Sequence, residues 1–230
     1  MFQWSSPRTA VVGITRRIAR EVRIAAGSDS LEGTLTLPQG ASGVVLFAHG
    51  HGSSRHSPRS LLVSNAIVDA RIGTLLFDLL PGEEGTLAKR LEQATLWLSG
   101  EAGMRGLRIG YFGASTGAAA ALVAAARLGE KVDAVVLRGG RPDLAWQYLP
   151  KVMAPTLLIV GSLDRDVVAL NQHAYEQLRC SKAFQIVPGA SHLFEEPGTL
   201  ERVAQLAAEW FRQWLARDPE HTLRSDEDEE

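Results

Sequence analysis

Short, mostly apolar runs alternate with longer amphipathic stretches along the chain. Such runs are typical of strands that are buried on both faces of a parallel sheet. The stretches between them repeat apolar residues at helical spacing. The alternation predicts an α/β chain with a mostly parallel central sheet of about eight strands, flanked by helices. The predicted strands of this kind are 43–49, 72–78, 107–112, 131–137, 155–160 and 182–187, and the predicted helices are 58–70, 87–99, 116–126, 167–179 and 197–216.

Two further strands are predicted before residue 40. Arg20–Ala25 and Leu31–Leu37 alternate polar and apolar residues, and the turn-forming stretch Gly27–Ser30 separates them. This pattern predicts an antiparallel hairpin at an edge of the sheet, which Pro38 ends.

The helix boundaries carry their own signals. Ser57 followed by Pro58 predicts an N-cap and the first residue of a helix. Only one small helix fits in the longest gap between predicted elements, 138–155, so we expect no sizeable lid. The last helix should bury one apolar face, formed by Val203, Leu206, Ala207, Trp210, Phe211 and Trp214.

Composition places the chain among globular proteins. It has 230 residues, of which 45% are hydrophobic, so one domain with a substantial core is expected. No apolar run is long enough to span a membrane, and we read no signal peptide at Met1–Arg8. The single cysteine, Cys180, excludes an intramolecular disulfide and favours the cytoplasm.

Charge is concentrated at one end of the chain. The formal net charge is −2, yet the stretch Asp218–Glu230 holds seven acids and one arginine. We therefore expect an N-terminal extension over 1–19, an α/β domain over 20–216 and an acidic, disordered tail over 217–230. The small positive charge of the remainder gives no reason to expect nucleic acid. No spacing of His, Cys and Asp indicates a metal site, so we expect neither metal nor cofactor.

The stretch Gly113–Gly117, which reads Gly-Ala-Ser-Thr-Gly, lies between a predicted strand and a predicted helix. A G-x-S-x-G motif in this context indicates a nucleophile elbow, in which a sharp turn exposes the serine hydroxyl above the sheet. Glycines on both sides let neighbouring backbone approach closely. The sequence therefore predicts Ser115 as a nucleophile.

Ser115, Asp164 and His192 each follow a predicted strand, where sites form in open α/β sheets. A serine hydroxyl needs an imidazole to take its proton, and the imidazole needs a carboxylate to hold it. The order Ser, Asp, His agrees with such a triad. Asp166 is the alternative acid, although it could instead be the N-cap of the helix that follows.

A tetrahedral oxyanion would need two hydrogen-bond donors. The backbone N–H of Thr116, directly after the nucleophile, is one expected donor. The other should come from the loop after the strand at 43–49, from the N–H of His51 or, failing that, of Gly52.

Four segments together resemble the α/β-hydrolase superfamily and, more narrowly, its dienelactone hydrolase-like branch, which includes members fused to phosphoribosyltransferase domains. The resemblance covers about residues 20–216, and it implies the α/β-hydrolase fold, a Ser115–Asp164–His192 triad and no cofactor. The dienelactone hydrolases it resembles carry cysteine where this chain has Ser115, which favours a general carboxylic ester hydrolase. The four segments are Phe47–Arg59, Gly113–Gly117, Arg138–Asp143 and Pro188–Phe194.

Several arginines follow the predicted strands on the side of the site. A guanidinium binds carboxylates through two parallel hydrogen bonds, so Arg55 or Arg138 could hold an anionic acyl group. The alternative is an internal ion pair. The arginines concerned are Arg55, Arg59, Arg138 and Arg141, and the acids available for such pairs are Asp78, Glu83, Glu84 and Asp143.

The function expected from these residues is a serine hydrolase that cleaves small carboxylic esters, or lactones, through an acyl-enzyme. A C–C or amide hydrolase and an acyltransferase would use the same triad, so the sequence leaves them open. A non-catalytic binding protein of the same fold would be expected to lack a triad member, and none is missing from this chain.

Overall fold

The structure is a computed structural model that describes residues 16–26, 29–50, 54–78 and 86–216. These residues form an eight-stranded sheet, as the sequence predicts. Its strands are β1 Arg17–Ala26, β2 Asp29–Pro38, β3 Gly43–Ala48, β4 Gly73–Phe77, β5 Arg108–Ala114, β6 Ala134–Arg138, β7 Thr156–Gly161 and β8 Lys182–Val187. Their spatial order is β1-β2-β4-β3-β5-β6-β7-β8.

The first two strands form the predicted antiparallel hairpin at the sheet edge. Val22 is opposite Gly33 in their register, and β2 in turn pairs antiparallel with β4. The pairs from β4 through β3 to β8 are all parallel. Strand β1 already begins at Arg17, ahead of the alternation that starts at Arg20, because Arg17 still pairs with Pro38.

Helices cover both faces of the sheet, and each face has its own apolar core. Helices α1 and α5 contribute Val63 and Phe211, among others, to one core. Helices α2, α3 and α4 contribute Leu91, Leu122 and Ala174 to the other. The helices are α1 Pro58–Asp69, α2 Thr86–Gly100, α3 Thr116–Leu128, α4 Arg165–Gln177 and α5 Thr199–Leu215.

Several local details differ from the prediction, and most element boundaries are shifted by one to three residues. Strand β6 begins at Ala134 because Gly129–Lys131 forms a 3₁₀ turn. Trp210 and Trp214 of α5 are only half-buried, and the indole N–H of Trp210 donates to the carbonyl of Pro155 at 3.3 Å. Ser57 precedes α1, as predicted, but its side chain makes no capping hydrogen bond.

The connection from β6 to β7 was expected to hold one small helix, and it holds two short 3₁₀ segments within Pro142–Lys151. They are separated at Ala145, whose φ of −133° and ψ of 17° are not helical. No inserted lid lies in this described stretch. Because β5 to β8 are parallel, the carboxyl ends of β5, β7 and β8 lie at the same edge of the sheet. The segments that follow these strands can therefore meet.

Candidate active site

Ser115 occupies the turn between β5 and α3 in a strained conformation. Its φ is 53° and its ψ is −122°, a region that L-residues other than glycine rarely adopt. Close packing makes the turn possible, because a Cβ on Gly117 would lie 2.0 Å from the carbonyl oxygen of Ala48. Only glycine fits there. The predicted elbow is thus formed as the motif indicates.

The three residues predicted as a triad lie in one row of hydrogen bonds. His192 Nε2 is 3.4 Å from Ser115 Oγ, and His192 Nδ1 is 2.5 Å from Asp164 Oδ2. The Asp164 side chain is 17% exposed and that of His192 is 37% exposed. Asp164 occupies the N-cap position of α4, whereas Asp166 lies within the first turn of that helix. The geometry therefore selects Asp164 over Asp166 as the partner of His192.

Backbone hydrogen bonds hold the aspartate and histidine segments together. The N–H of Leu163 donates to the carbonyl of Ala190 at 3.0 Å. The N–H of Ser191 donates to the Glu196 carboxylate at 3.0 Å, and this bond lowers the pKa of Glu196. These contacts fix the residues on either side of Asp164 and His192, so the imidazole is oriented by its loop as well as by its partner.

The end of β6 and the segment after it form backbone hydrogen bonds with the elbow. The N–H of Ser115 donates to the carbonyl of Arg138 at 3.2 Å, and the N–H of Arg141 donates to the carbonyl of Ser115 at 3.1 Å. Asn171, fully buried on α4, donates to the carbonyl of Gly140 at 2.9 Å. Asn171 was not predicted from the sequence, although its helical spacing from the apolar Val167 and Ala174 indicates a buried position. These three residues do share the buried face of that helix.

A cavity of about 120 Å³ opens beside Ser115. His49 lies in its wall and is buried, with its Nδ1 3.2 Å from the carbonyl oxygen of Gly50. The remaining wall comes from the carboxyl ends of β5 and β6, from the segments after β5 and β8, and from Ser57 and the first two turns of α1. The described residues in the lining are His49, Gly50, Ser57, Arg59, Ser60, Val63, Phe112, Ala114, Ser115, Arg138, His192 and Leu193.

Of the two expected oxyanion donors, Thr116 lies among the described residues and His51 does not. Thr116 is the first residue of α3, so its amide lies at the N-terminus of that helix. His51 and the alternative Gly52 lie outside the described residues. Gly50, directly before them, is close to the elbow: a Cβ built on it would be 3.2 Å from both Ser115 Cβ and Thr116 Oγ1. The chain therefore passes beside Ser115 just before His51.

Arg55 forms the internal ion pair that the sequence left as an alternative. Its guanidinium contacts the Asp78 carboxylate, and it reaches Glu32 at 3.1 Å and Glu21 at 3.7 Å. Burial lowers the pKa of Arg55, but the hydrogen bond to Glu32 and the charge of Asp78 outweigh it and raise the pKa overall. Arg55 is not among the described residues that line the cavity.

The other arginines divide in the same way. Arg141 forms two hydrogen bonds with Asp143, at 2.8 and 2.7 Å. Arg59 lines the cavity at its exposed rim and reaches Glu195 at 3.4 Å. Arg138 lines the cavity from a buried position, and the structure gives it no acidic partner within the described ranges. Of the two arginines predicted first as substrate ligands, only Arg138 faces the cavity.

Other candidate chemistry is limited within the part of the chain that the structure describes. There, no group of three or more His, Cys, Asp or Glu side chains could hold a metal ion. Burial raises the pKa of the Cys180 thiol, which disfavours a reactive thiolate. No helix in the described ranges is long and apolar enough to cross a membrane.

A mostly parallel eight-stranded sheet with a serine elbow after β5 is the architecture of the α/β-hydrolase fold. Within that class, the model of the dienelactone hydrolase family matches residues 64–216, and the chain belongs to this family. The resemblance inferred from the sequence motifs is thereby confirmed, and the family and the fold support a hydrolase.

Solved structures agree with this assignment. A dienelactone hydrolase from Anabaena variabilis has 51% sequence identity to this chain. Its crystal structure superposes with a TM-score of 0.85 and covers 87% of this chain and 99% of that chain. Est1E from Butyrivibrio proteoclasticus matches 86% of this chain and 99% of its own, with a TM-score of 0.77 and 14% identity. At that identity, Est1E shows the fold alone.

A longer relative comes from Mycobacterium tuberculosis. Rv0571c, provisionally named a phosphoribosyl transferase, is 52% identical over 201 residues, which are 83% of this chain and 45% of the relative. The chain thus spans less than half the length of this relative.

Proposed function

We propose that this chain is a serine hydrolase that cleaves small carboxylic esters, or lactones, through an acyl-enzyme. The observation that carries the proposal is the row of hydrogen bonds from Ser115 through His192 to Asp164. Nucleophile, base and carboxylate are in the order that acyl transfer requires. The 3.4 Å contact between His192 Nε2 and Ser115 Oγ is of the long kind that catalytic groups show before they tighten in the complex with substrate.

In the proposed first step, Ser115 Oγ attacks the ester carbonyl while His192 Nε2 takes its proton. The Asp164 carboxylate accepts the hydrogen bond of His192 Nδ1–H and stabilises the imidazolium. The tetrahedral intermediate collapses when the alkoxide leaves, and His192 gives it the proton. The products of this half-reaction are the free alcohol and an acyl group on Ser115.

Water then completes the cycle. His192 takes a proton from a water molecule, which attacks the acyl carbonyl, and Ser115 leaves with that proton as the acid is released. In both halves, the negative charge on the carbonyl oxygen would be held by the backbone N–H of Thr116, at the head of α3, and by that of His51. Each such donor contributes roughly 3–4 kcal/mol to transition-state stabilisation.

The size of the cavity favours small substrates. Its volume of about 120 Å³ is below the roughly 300–1,000 Å³ of sites for drug-sized ligands. We accordingly propose a small-molecule partner rather than a nucleic acid or a membrane lipid. The lone Cys180 gives the chain no intramolecular disulfide, which fits a protein of the cytoplasm.

Hydrolysis of p-nitrophenyl esters from acetate to octanoate tests the proposal. We expect turnover that falls with acyl length and is lost in Ser115→Ala, and we expect a fluorophosphonate to label the wild type but not that variant. Ser181→Ala is the matched control, because Ser181 is exposed at the start of β8, where its backbone carbonyl accepts from Thr156. Undiminished turnover in Ser115→Ala would overturn the proposal, as would turnover of anilides with none of esters.

A further inference from the structure

The cavity beside Ser115 has an apolar inner end. Among its described lining residues, Val63 on α1 and Phe112 on β5 are the least exposed, at 1% and 3%. Both belong to the apolar core that α1 and α5 share with the sheet. Leu193, in contrast, is 39% exposed and lines the cavity directly after His192. The cavity therefore runs from an exposed mouth at Leu193 to a buried floor, which we define as Val63 and Phe112.

The strand register explains the space above Phe112. Phe112 is next to Phe47 on β3 and to Val136 on β6. The rings of Phe47 and Phe112 pack with their centroids 5.0 Å apart, which holds the floor in place. Ala114, two residues further on and thus on the same face of the sheet, is next to Arg138. The short side chain of Ala114 leaves open a volume that a longer one would fill.

Helix α1 relates the floor to the rim of the cavity. Arg59, Ser60 and Val63 all line the cavity, and residues three or four apart share one face of a helix. The Arg59 side chain is 38% exposed, whereas Val63 is buried. Because a helix rises about 1.5 Å per residue, Val63 lies roughly 6 Å further along the axis than Arg59.

The volume of the cavity fits a short chain. At roughly 30 Å³ for a group the size of a water molecule, the cavity of about 120 Å³ holds about four non-hydrogen atoms. A longer chain would have to displace Val63 or Phe112 from a packed core. Cores resist such overpacking, because it forces side chains out of their preferred rotamers.

The position of His192 determines which end of an ester would face the floor. His192 has to give its proton to the leaving alkoxide, so the alcohol would lie beside His192 and Leu193, at the mouth. The oxyanion would face the head of α3, where the amide of Thr116 lies. The acyl chain would then take the remaining direction, toward Val63 and Phe112.

We propose that Val63 and Phe112 close an acyl pocket that limits the acyl chain to about two to four carbons, whereas the alcohol lies at the mouth and can vary in length. The inference rests on the proposed function, because the pocket belongs to Ser115. It deepens that function by naming the substrate class: short-chain acyl esters of alcohols of varied size.

Esters of p-nitrophenol from acetate to octanoate test the floor, since they vary the acyl chain and keep the alcohol constant. We expect kcat/KM to fall by at least about tenfold from butyrate to hexanoate. Val63→Ala removes two methyl groups from the floor, and each buried methylene is worth about fourfold in binding. This variant should raise the hexanoate-to-butyrate ratio by about tenfold, and Val63→Ile should lower the butyrate-to-acetate ratio.

Val68→Ala is the matched control. Val68 is buried on the same helix but is not among the described residues that line the cavity, so the same substitution there should keep both ratios within about twofold of the wild type. A wild type without the drop at hexanoate would overturn the proposal. Unchanged ratios in both Val63 variants would overturn it as well.

Acetate esters of methanol, butanol and octanol test the mouth. We expect kcat/KM to vary by less than about tenfold along this series, and Val63→Ala should leave this alcohol profile unchanged. If Val63→Ala changed the alcohol profile and not the acyl profile, the floor would face the alcohol and the proposal would be wrong.

A binding measurement separates the pocket from the chemistry. Butyramide should raise the melting temperature of Ser115→Ala and hexanamide should not, whereas hexanamide should raise it once Val63→Ala is added. If this selectivity is absent while the wild type hydrolyses esters through Ser115, the acyl pocket is wrong and the proposed function stands. If the amides bind in this pattern but no ester is turned over, the pocket stands and the proposed function fails.

Discussion

The backbone N–H of Ser115 donates to the carbonyl of Arg138 at 3.2 Å, and the side chain of the same arginine lines the cavity in front of that serine. One residue therefore holds the elbow by its main chain and faces the ligand space with its side chain. Because the main-chain bond does not depend on the side chain, position 138 can vary in charge while the elbow stays intact. The contribution of the side chain can therefore be measured separately from that of the fold.

Replacing Ser115 should reveal the strain that the elbow stores. At φ 53° and ψ −122°, a non-glycine residue costs roughly 1–3 kcal/mol. Ser115→Gly should relieve that strain and Ser115→Ala should not, although glycine also gains entropy in the unfolded chain. We expect the glycine variant to be about 1 kcal/mol more stable to urea than the alanine variant. A glycine variant that is roughly 0.5–1 kcal/mol less stable than the alanine variant, as expected from chain entropy alone, would show that the turn is unstrained. Both variants should lose ester turnover by at least about a thousandfold.

Asp164 and Asp166 should differ sharply in catalysis. Only Asp164 contacts His192, so Asp164→Asn should lower kcat by about 10³- to 10⁴-fold by disturbing the imidazole tautomer and leaving the imidazolium without its carboxylate. Asp166→Asn, in the first turn of α4, should stay within about threefold of the wild type. Initial rates with p-nitrophenyl acetate give both values. A larger loss in Asp166→Asn than in Asp164→Asn would show that Asp166, and not Asp164, is the acid of the site.

Arg55 should behave as a structural residue. Its guanidinium joins Asp78 after β4 to Glu32 on β2, and its backbone N–H donates to Asp78 at 2.8 Å. Arg55→Met leaves the Asp78 carboxylate without its closest cation, and we expect a loss of about 1–3 kcal/mol in unfolding free energy. The ratio of kcat/KM for monomethyl succinate to that for dimethyl succinate should stay unchanged. A changed ratio with unchanged stability would show that Arg55 binds the substrate.

The sequence predicted the fold, and the proximity of Ser115, Asp164 and His192, because both depend on local signals. Apolar runs mark the inner strands, and these three residues follow the ends of their strands within five positions. The contacts that the arginines form could not be predicted in the same way. Arg55 meets Glu32 and Glu21 only because the hairpin register brings those side chains near the end of β4. Phe194, whose ring packs against Arg138, is buried and has a φ of 55°. No local pattern in the sequence signals this backbone conformation.

The buried charge of Arg138, which has no acidic partner among the described residues, should cost the protein stability, and removing it should recover that cost. The lowering of its pKa to about 10 corresponds to roughly 3 kcal/mol against the charged form. Methionine fills a similar space without a charge, so Arg138→Met should raise the unfolding free energy at pH 7 by about 1–3 kcal/mol. Arg127→Met, which loses ion-pair contacts with Glu92, should not raise it. Urea unfolding of both variants measures the difference.

The same prediction carries a pH dependence with a definite sign. Above about pH 10, the native chain releases the Arg138 proton, while the unfolded chain, in which the pKa of arginine has its higher ordinary value, still keeps it. Stability rises with pH wherever the unfolded state binds more protons. The wild type should therefore gain on Arg138→Met as pH rises through about 10, and the advantage of the variant should shrink. A gap that alkaline pH does not reduce would mean that the stabilisation comes from better packing of methionine, not from loss of a buried charge.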